Sequence, residues 1–390
     1  MRKSFLLFMK RPTTWVGIIT ALMFQVIFSV IWMTGYDGVT DNTARLKLAI
    51  VNEDAQFGVQ ITDGLVDSLP FNMQLTDDLA AAKASLEERS IHMIVHIPSD
   101  FSARAADGQH KAVLNYYMNE SNPTMTKSVM SSAAAQITEK INSQAVAIGI
   151  QQQLVGQPFN MAAEQAFLTA GALSQRVTSE VHSSNIVLGM NNQMVPMMLV
   201  LASYVGAMIM GMNLEQSAMA LRGTVSRWHG FAVRAAINFA ASIVIALVGS
   251  SLIAALGGQI EQGFYKLWLF QSLFLLTFMF VSQTFLYILG IGGMLINIIM
   301  LSLQLVSSGA MVPRELMSDF YINLGDYLPA TYAVDGLMSL LFGGPSIGTD
   351  IGKLAIIVVI AVAISMLSIS WKKNSVPRLQ TAAHIHSNNK

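Results

Sequence analysis

The sequence has 390 residues, of which 53% are hydrophobic and only 12% charged, with a mean hydropathy of +0.50. Soluble domains carry about 25% charged residues, so a disordered chain is excluded and the composition weighs against an ordinary cytosolic enzyme. The 23 basic residues balance 23 acidic ones, leaving no general basic excess for a nucleic-acid partner, and the lack of any cysteine removes disulfide frameworks, thiolate metal sites and cysteine nucleophiles together.

In chain order, the basic start Met1, Arg2, Lys3, Lys10 and Arg11 leads into an apolar stretch near Trp15 to Trp32. The stretch continues through Met33 with no small-residue cleavage site, which predicts an uncleaved anchor rather than a removed signal. Ser4 to Lys10 reads either as an interfacial helix on the inner leaflet or as the beginning of that span. A polar region then extends from Tyr36 to about Met190. Within it Leu46 to Val51, Ile91 to Ile97 and Ala112 to Tyr117 predict strands, and Val59 to Ser68 and Asp77 to Glu87 predict helices. Pro123 to Leu154 predicts a long helix, and Asn160 to about Ser184 a second helical tract, the two forming a stalk under a small α/β head.

Five further apolar stretches follow: Gln193 to Met212, Phe231 to Ala255, Leu267 to Leu289, Ile291 to Val312 and Leu354 to Trp371. Each has the length of about 20 residues that a bilayer core requires. The expected fold class is therefore an α-helical multi-pass membrane protein with six transmembrane helices. Its extracytoplasmic mixed α/β domain and helical stalk are inserted between the first and second helices. Short-loop bases decide orientation. Arg222, Arg227 and Arg234 near the 213–230 loop, together with Lys372, Lys373, Arg378 and Lys390 in the tail, predict both termini on the cytoplasmic side. The resulting division is 1–35 for the amino-terminal segment and first helix, 36–190 for the outer domain, 191–371 for five helices with an external hairpin at 313–350, and 372–390 for a cytoplasmic tail.

Several segments together resemble a known family. They are Ile50-Val51-Asn52-Glu53-Asp54, Ile97-Pro98-Ser99-Asp100-Phe101-Ser102, the Gly189-Met190-Asn191 approach to Pro196, and Leu328-Pro329-Ala330-Thr331-Tyr332-Ala333-Val334-Asp335-Gly336-Leu337. In these segments and in layout the chain resembles the YhgE/Pip branch of the ABC-2 type (type-2 ABC) exporter permeases, although its outer domain is shorter than in the longest members. The resemblance implies a bacterial plasma-membrane export permease that works as a dimer with a second permease copy or homologue. It leaves the substrate open among lipid, peptide and drug.

The energy source can be read from the residues themselves. The glycine-rich stretch Gly343-Gly344-Pro345-Ser346-Ile347-Gly348-Thr349-Asp350 lacks the lysine of a phosphate-binding loop. The span centres also lack the ionisable groups that ion-coupled carriers place inside the bilayer. A transport subunit without its own nucleotide site or cofactor is expected, with ATP bound by a separate ABC ATPase subunit. A non-transporting cell-surface receptor or secretion-apparatus component is the alternative.

Candidate site residues follow from that expectation. Glu215, Arg222 and Arg227, in a segment of mixed apolar and charged residues at roughly helical spacing, are candidate ATPase-coupling contacts, although the arginines are equally explained by orientation. Asn297, Gln304 and Ser308 fall on one helical face. With Met197, Tyr204 and Met208 they are candidates for a translocation path, the competing reading being interhelical hydrogen bonds and packing. Ala207 and Gly211 form a small-residue pair suited to close helix approach. His92 with His96, and His384 with His386, lack the further ligands of a zinc site. The pairs Asp77-Asp78 and Glu87-Glu88 mark helix ends, and Asp335 and Glu315 are expected to shape the external hairpin.

Overall fold

The computed structural model describes residues 9–10, 12–107, 110–156, 176–221 and 223–371. It begins with α1 (Pro12–Gly35), continues through an α/β domain, and ends in a helical bundle. The α/β domain contains β1 (Lys47–Asn52), α2 (Phe57–Ser68), β2 (Asn72–Thr76), α3 (Leu79–Glu87), β3 (Met93–Ile97), α4 (Phe101–Asp107), β4 (Ala112–Asn119), α5 (Thr124–Gly156) and β5 (Val177–Ser184).

The five strands are ordered β2-β1-β3-β4-β5. β1 lies parallel to β2 and β3, β3 is antiparallel to β4, and β4 is parallel to β5. Helices cover both faces, which explains why the central strands are continuous apolar runs rather than alternating ones. On one face Leu48, Ile50, Val95, Leu114 and Tyr116 pack with Ile61 and Leu65 of α2, Phe101 of α4 and Met130 and Ile137 of α5. On the other, Ala49, Val51 and Ile94 meet Ala82 and Leu86 of α3. The Asp78 side chain caps α3 by accepting from the Ala80 and Ala81 N–H groups, so the acidic pair read from sequence as a helix start has that role.

One expectation is corrected here. The tract expected to be helical up to Ser184 ends in a strand, since residues 177–184 pair with β4 along its full length. The pairing supplies every residue of Val177–Ser184 with a ladder partner, which outweighs its weak local preference. Residues 160–175 of that tract lie outside the described residues, as do Ser4 to Phe8 and the tail from residue 372.

The bundle comprises α6 (Gly189–Ala220), α7 (Arg227–Ala255), α8 (Phe264–Leu289), α9 (Gly293–Ser307), two short helices α10 (Asp319–Gly325) and α11 (Pro329–Phe342), and α12 (Gly348–Trp371). α8 is central, packed against α6, α7, α9, α11 and α12. Its Phe270, Phe274 and Phe278 form an edge-to-face ladder with centroids 5.8 and 5.7 Å apart. Among the described residues, four helical stretches are long and apolar enough to cross a membrane: Gly189–Ala220, Arg227–Ala255, Phe264–Ser307 and Gly348–Trp371. The third is α8 and α9 joined at Gly290, whose φ of 62° lets the chain turn. Gly293 then packs on the Phe285 backbone, and the Asn297 amide reaches the Ser282 carbonyl at 3.2 Å, so the two helices run antiparallel.

α9 is shorter than the Ile291 to Val312 stretch suggested. Its 15 residues end at the Ser307-Ser308-Gly309 turn. They rise only about 22 Å, less than the roughly 30 Å of a bilayer core.

Candidate functional site

Polar side chains read as path candidates converge where α6, α8 and α9 meet. Tyr204 is 1% exposed, stacks edge-on to Phe278 at 5.4 Å, and donates from its hydroxyl to Asn297 Oδ1 at 3.4 Å. Gln304, two turns further along the same face of α9, lies beside the same hydroxyl, with neither amide atom in good hydrogen-bond geometry. The hydroxyls of Ser282 and Ser302 are likewise buried without partners. Met208 is buried and Met197 half-buried against the same helix core. Ser308 is turned back onto the Leu305 carbonyl at 3.0 Å and is not part of this group. Gly211 allows close approach to Leu286 and Gln283 of α8, so the small-residue face packs within the chain.

The 213–230 segment is helical for most of its length. α6 continues to Ala220, a short turn includes Leu221 and residues 223–226, and α7 begins at Arg227. Glu215 lies on the inward face of α6, 6% exposed, and accepts from Arg234 Nη1 of α7 at 2.7 Å. Arg234 also covers the Tyr287 ring of α8 at 4.9 Å. Arg227 is exposed at the start of α7, and Arg222 lies outside the described residues. The turn itself exposes apolar side chains: Leu221, Val225 and Trp228 are all open to the surroundings. Ser226 caps α7 by accepting from the His229 N–H.

The two short motifs in the α/β domain form one knot. Asp54 Oδ1 accepts from the Gln56 and Gly58 N–H groups and from the Ser102 hydroxyl, and Oδ2 accepts from the Ser102 N–H, all between 2.5 and 3.0 Å. Burial alone would raise this carboxyl. The hydrogen bonds from Ser102, Gly58 and Gln56 outweigh it and hold the group below the usual carboxylate range. A side chain at Gly58 would collide with Asn52 Oδ1, which explains the glycine there.

Sequence reasoning missed the contacts that fix this head to the bundle. Arg89, with φ of 57°, donates from Nε to the Ser121 hydroxyl and from Nη2 to the Gly343 carbonyl, both at 3.2 Å. Asn185, with φ of 50°, donates to Glu87 Oε2 at 2.7 Å and to Asn119 Oδ1 at 3.2 Å. On the other side, Arg45 pairs with Asp319 at 2.8 Å, Asn42 donates to the Leu316 carbonyl at 2.9 Å, and Leu316 enters the head's core. Asp335 stands near Arg89 and Arg314. Burial pushes its carboxyl up to about 6 despite both guanidinium groups. Glu315 lies within electrostatic range of Asp335 and of His92. The links from Arg89 to Gly343, Asn42 to Leu316 and Arg45 to Asp319 join segments more than 250 positions apart, and no local spacing announces them.

The histidines serve structure. His92 Nδ1 accepts from the Lys47 N–H at 3.1 Å, and His96 Nε2 stands 3.3 Å from Glu53. His384 and His386 lie outside the described residues. Among the described residues no group of three or more potential metal ligands is assembled.

Three comparisons with known proteins bear on this architecture. The uncharacterized protein YhgE of Bacillus subtilis (strain 168) is 25% identical over 210 residues, which is 52% of this chain and 26% of YhgE. The matched part is therefore about a quarter of that relative's length. A crystal structure of a domain described as belonging to an ABC type-2 transporter of Thermotoga maritima MSB8 overlaps 35% of this chain and 84% of that one. Its 20% identity and TM-score of 0.28 carry no fold assignment. The sequence profile of the ABC-2 family transporter proteins matches residues 15–367, from the first helix to the last. The chain is a membrane-embedded protein and belongs to the ABC-2 transporter family.

Proposed function

We propose that the chain is the permease subunit of an ABC exporter, moving an amphipathic or hydrophobic substrate outward with energy from a separate ATPase subunit, as a dimer with a second permease copy or homologue. The match along residues 15–367 is the observation that carries this reading. In it α1, α6, α7, α8, the short α9 and α12 lie in a bacterial plasma membrane with both termini cytoplasmic, and the α/β head faces outward.

The turn at 221–226 is then cytoplasmic and receives the ATPase. Leu221, Val225 and Trp228 offer apolar contact area and Arg227 a charge at the rim, the composition of a docking patch with a polar edge. The Glu215–Arg234 pair, buried between α6 and α7, makes the two helices respond to that contact as a unit. A displacement at the turn travels along α6 to Tyr204, where Asn297 and Gln304 would change their hydrogen-bond arrangement. Those residues, with Met197 and Met208, are proposed to line the path in the transporting conformation.

The test is reconstitution with the partner ATPase in liposomes, reading ATP-dependent movement of lipids and peptides. Substituting Trp228→Ala with Arg227→Ala is expected to reduce transport and ATPase stimulation while membrane insertion is preserved. Orientation is tested by single cysteines at Gln74, exposed on the head, and at Thr224 in the turn. An impermeant thiol reagent on whole cells should label the first and not the second. Labelling of Thr224→Cys alone would reverse the topology, and a strain lacking the chain that loses only attachment of a surface partner would favour a receptor.

A further inference from the structure

A cavity of about 160 Å³ lies between β4, β5 and the first turns of α5. A cavity of about 150 Å³ accommodates benzene, whereas one water needs roughly 10–15 Å³, so this space suits a small organic group. Its walls combine apolar Met118, Met130 and Val181 with polar His92, Glu120 and Lys127. A second, much narrower opening shares Glu120 and Lys127 and is walled on its far side by Gln193 at the start of α6 and by Met338 and Phe342 of α11. The Glu120–Lys127 pair therefore stands at the neck between the head cavity and the bundle.

We infer that this cavity binds a zwitterion, an ammonium and an anionic group a few bonds apart on a short apolar body, with Glu120 and Lys127 as its two anchors. The geometry assigns the two ends different freedom. Glu120 is held in place: its Oε2 accepts from Lys127 Nζ at 2.8 Å and from the Val187 N–H at 3.3 Å, and its side chain is 12% exposed. Lys127 is 37% exposed on a flexible stem and can swing aside.

A cationic ligand on Glu120 would release Lys127 to solvent, and an anionic ligand on Lys127 would leave the largely enclosed Glu120 carboxylate with hydrogen bonds from Val187 and Ser183 but no counter-charge. A zwitterion replaces both halves of the pair at once and strands neither charge. His92 adds a neutral donor. Because its Nδ1 accepts from Lys47, its ring proton sits on Nε2, and burial keeps the imidazole below its usual range and uncharged. Met118, Met130 and Val181 would take the apolar body. That this zwitterion is the polar end of the exported cargo rests on the transport reading; the binding site does not.

The chemistry could come from a free amino acid or from an ethanolamine phospholipid headgroup, and calorimetry on the purified full-length chain in a maltoside detergent separates them. Leucine and dihexanoylphosphatidylethanolamine are titrated beside 4-methylpentanoate and isopentylamine, which each keep the apolar body with one charge. At least one zwitterion should bind about tenfold more tightly than either single-charge analogue, the energetic equivalent of about 1.4 kcal/mol. Binding of leucine alone assigns a free solute, and binding of the phospholipid alone a headgroup. Glu120→Gln and Lys127→Met should each weaken binding to a similar degree. Val181→Trp, which adds bulk at the cavity wall, should weaken it, and Lys83→Met on the opposite face should change nothing.

Single-charge analogues that bind as tightly as the zwitterions, full binding in Val181→Trp, or no heat from any probe at millimolar concentration would each overturn the site. Zwitterion binding without ATP-dependent transport of any zwitterionic amphipath would remove only the cargo assignment. Transport that survives loss of binding in Glu120→Gln or Lys127→Met would likewise remove only the cargo assignment and leave both the site and the transporter.

Discussion

The Asp54 knot in the head and the Tyr204 group in the bundle both bury polar side chains, but they dispose of them in opposite ways. Around Asp54 both carboxylate oxygens accept hydrogen bonds, and two chain segments are locked by them. Around Tyr204, Gln304 and the hydroxyls of Ser282 and Ser302 are buried without completing a bond. A satisfied buried network specifies one arrangement, whereas an unsatisfied one retains free energy that a rearrangement or a bound group can recover. The contrast is one of two sites and not of whole domains, since Thr126 and Ser184 of the head also bury hydroxyls without a partner: the Asp54 knot holds one arrangement, and the Tyr204 group is free to change its own. The bundle also matches Ser250 with Gln271 and Thr284 with Ser365, and the buried Glu215–Arg234 pair is its charged exception.

That exception gives the largest expected effect. Arg234→Met leaves Glu215 charged and enclosed and should cost about 3–5 kcal/mol, read as a drop in thermal unfolding temperature in detergent. Adding Glu215→Gln should restore most of it. Asp54→Asn comes next, at about 2 kcal/mol, because a carboxylate accepting several N–H and O–H groups is replaced by an amide that can satisfy fewer. Limited proteolysis between α2 and α4 should report the loosening.

Gln304→Leu should move stability by less than about 1 kcal/mol in either direction, since no completed hydrogen bond is lost. A large loss there would erase the contrast between the two regions. A pH-dependent effect is expected at the junction. The Asp335 carboxyl is raised to about 6 in the folded chain, so the folded state holds the proton more tightly than the unfolded one. Stability contributed by this group is therefore present at low pH and declines as pH rises through about 6. Unfolding midpoints of the wild type should fall between about pH 4 and pH 6.5 relative to those of Asp335→Asn and level off above that.

How much of this was legible in the sequence depended on how local each signal was. The central strands could be read because burial on both faces writes them as apolar runs such as Leu48 to Val51 and Met93 to Ile97. The edge strand β2 escaped notice, since Asn72–Thr76 is mostly exposed and carries no such run. β5 read as a helix because its strand state depends on β4, a partner far along the chain. Asn297 and Gln304 could be placed on one face from their spacing alone. Glu215 was singled out as a partner contact, whereas its carboxylate is taken by Arg234, a pairing set by how α6 and α7 cross. Arg89 and Asn185 gave no signal at all, because their roles arise from left-handed backbone positions facing Gly343.

The parallel pairing of β4 with β5 also dictates an order of events during synthesis. β4 must wait with an open edge while all of α5 is made, because a parallel neighbour can arrive only after the chain has crossed back. Closing so long a loop is entropically costly and slow. When β5 docks, the start of α6 follows within a few residues, so completion of the sheet fixes where that helix enters the bundle. A chain truncated after Gly156 should therefore expose β4 as a template for other chains. It is expected to aggregate in a concentration-dependent way that light scattering would detect, and a synthetic peptide spanning Arg176–Asn185 should suppress that aggregation by occupying the edge.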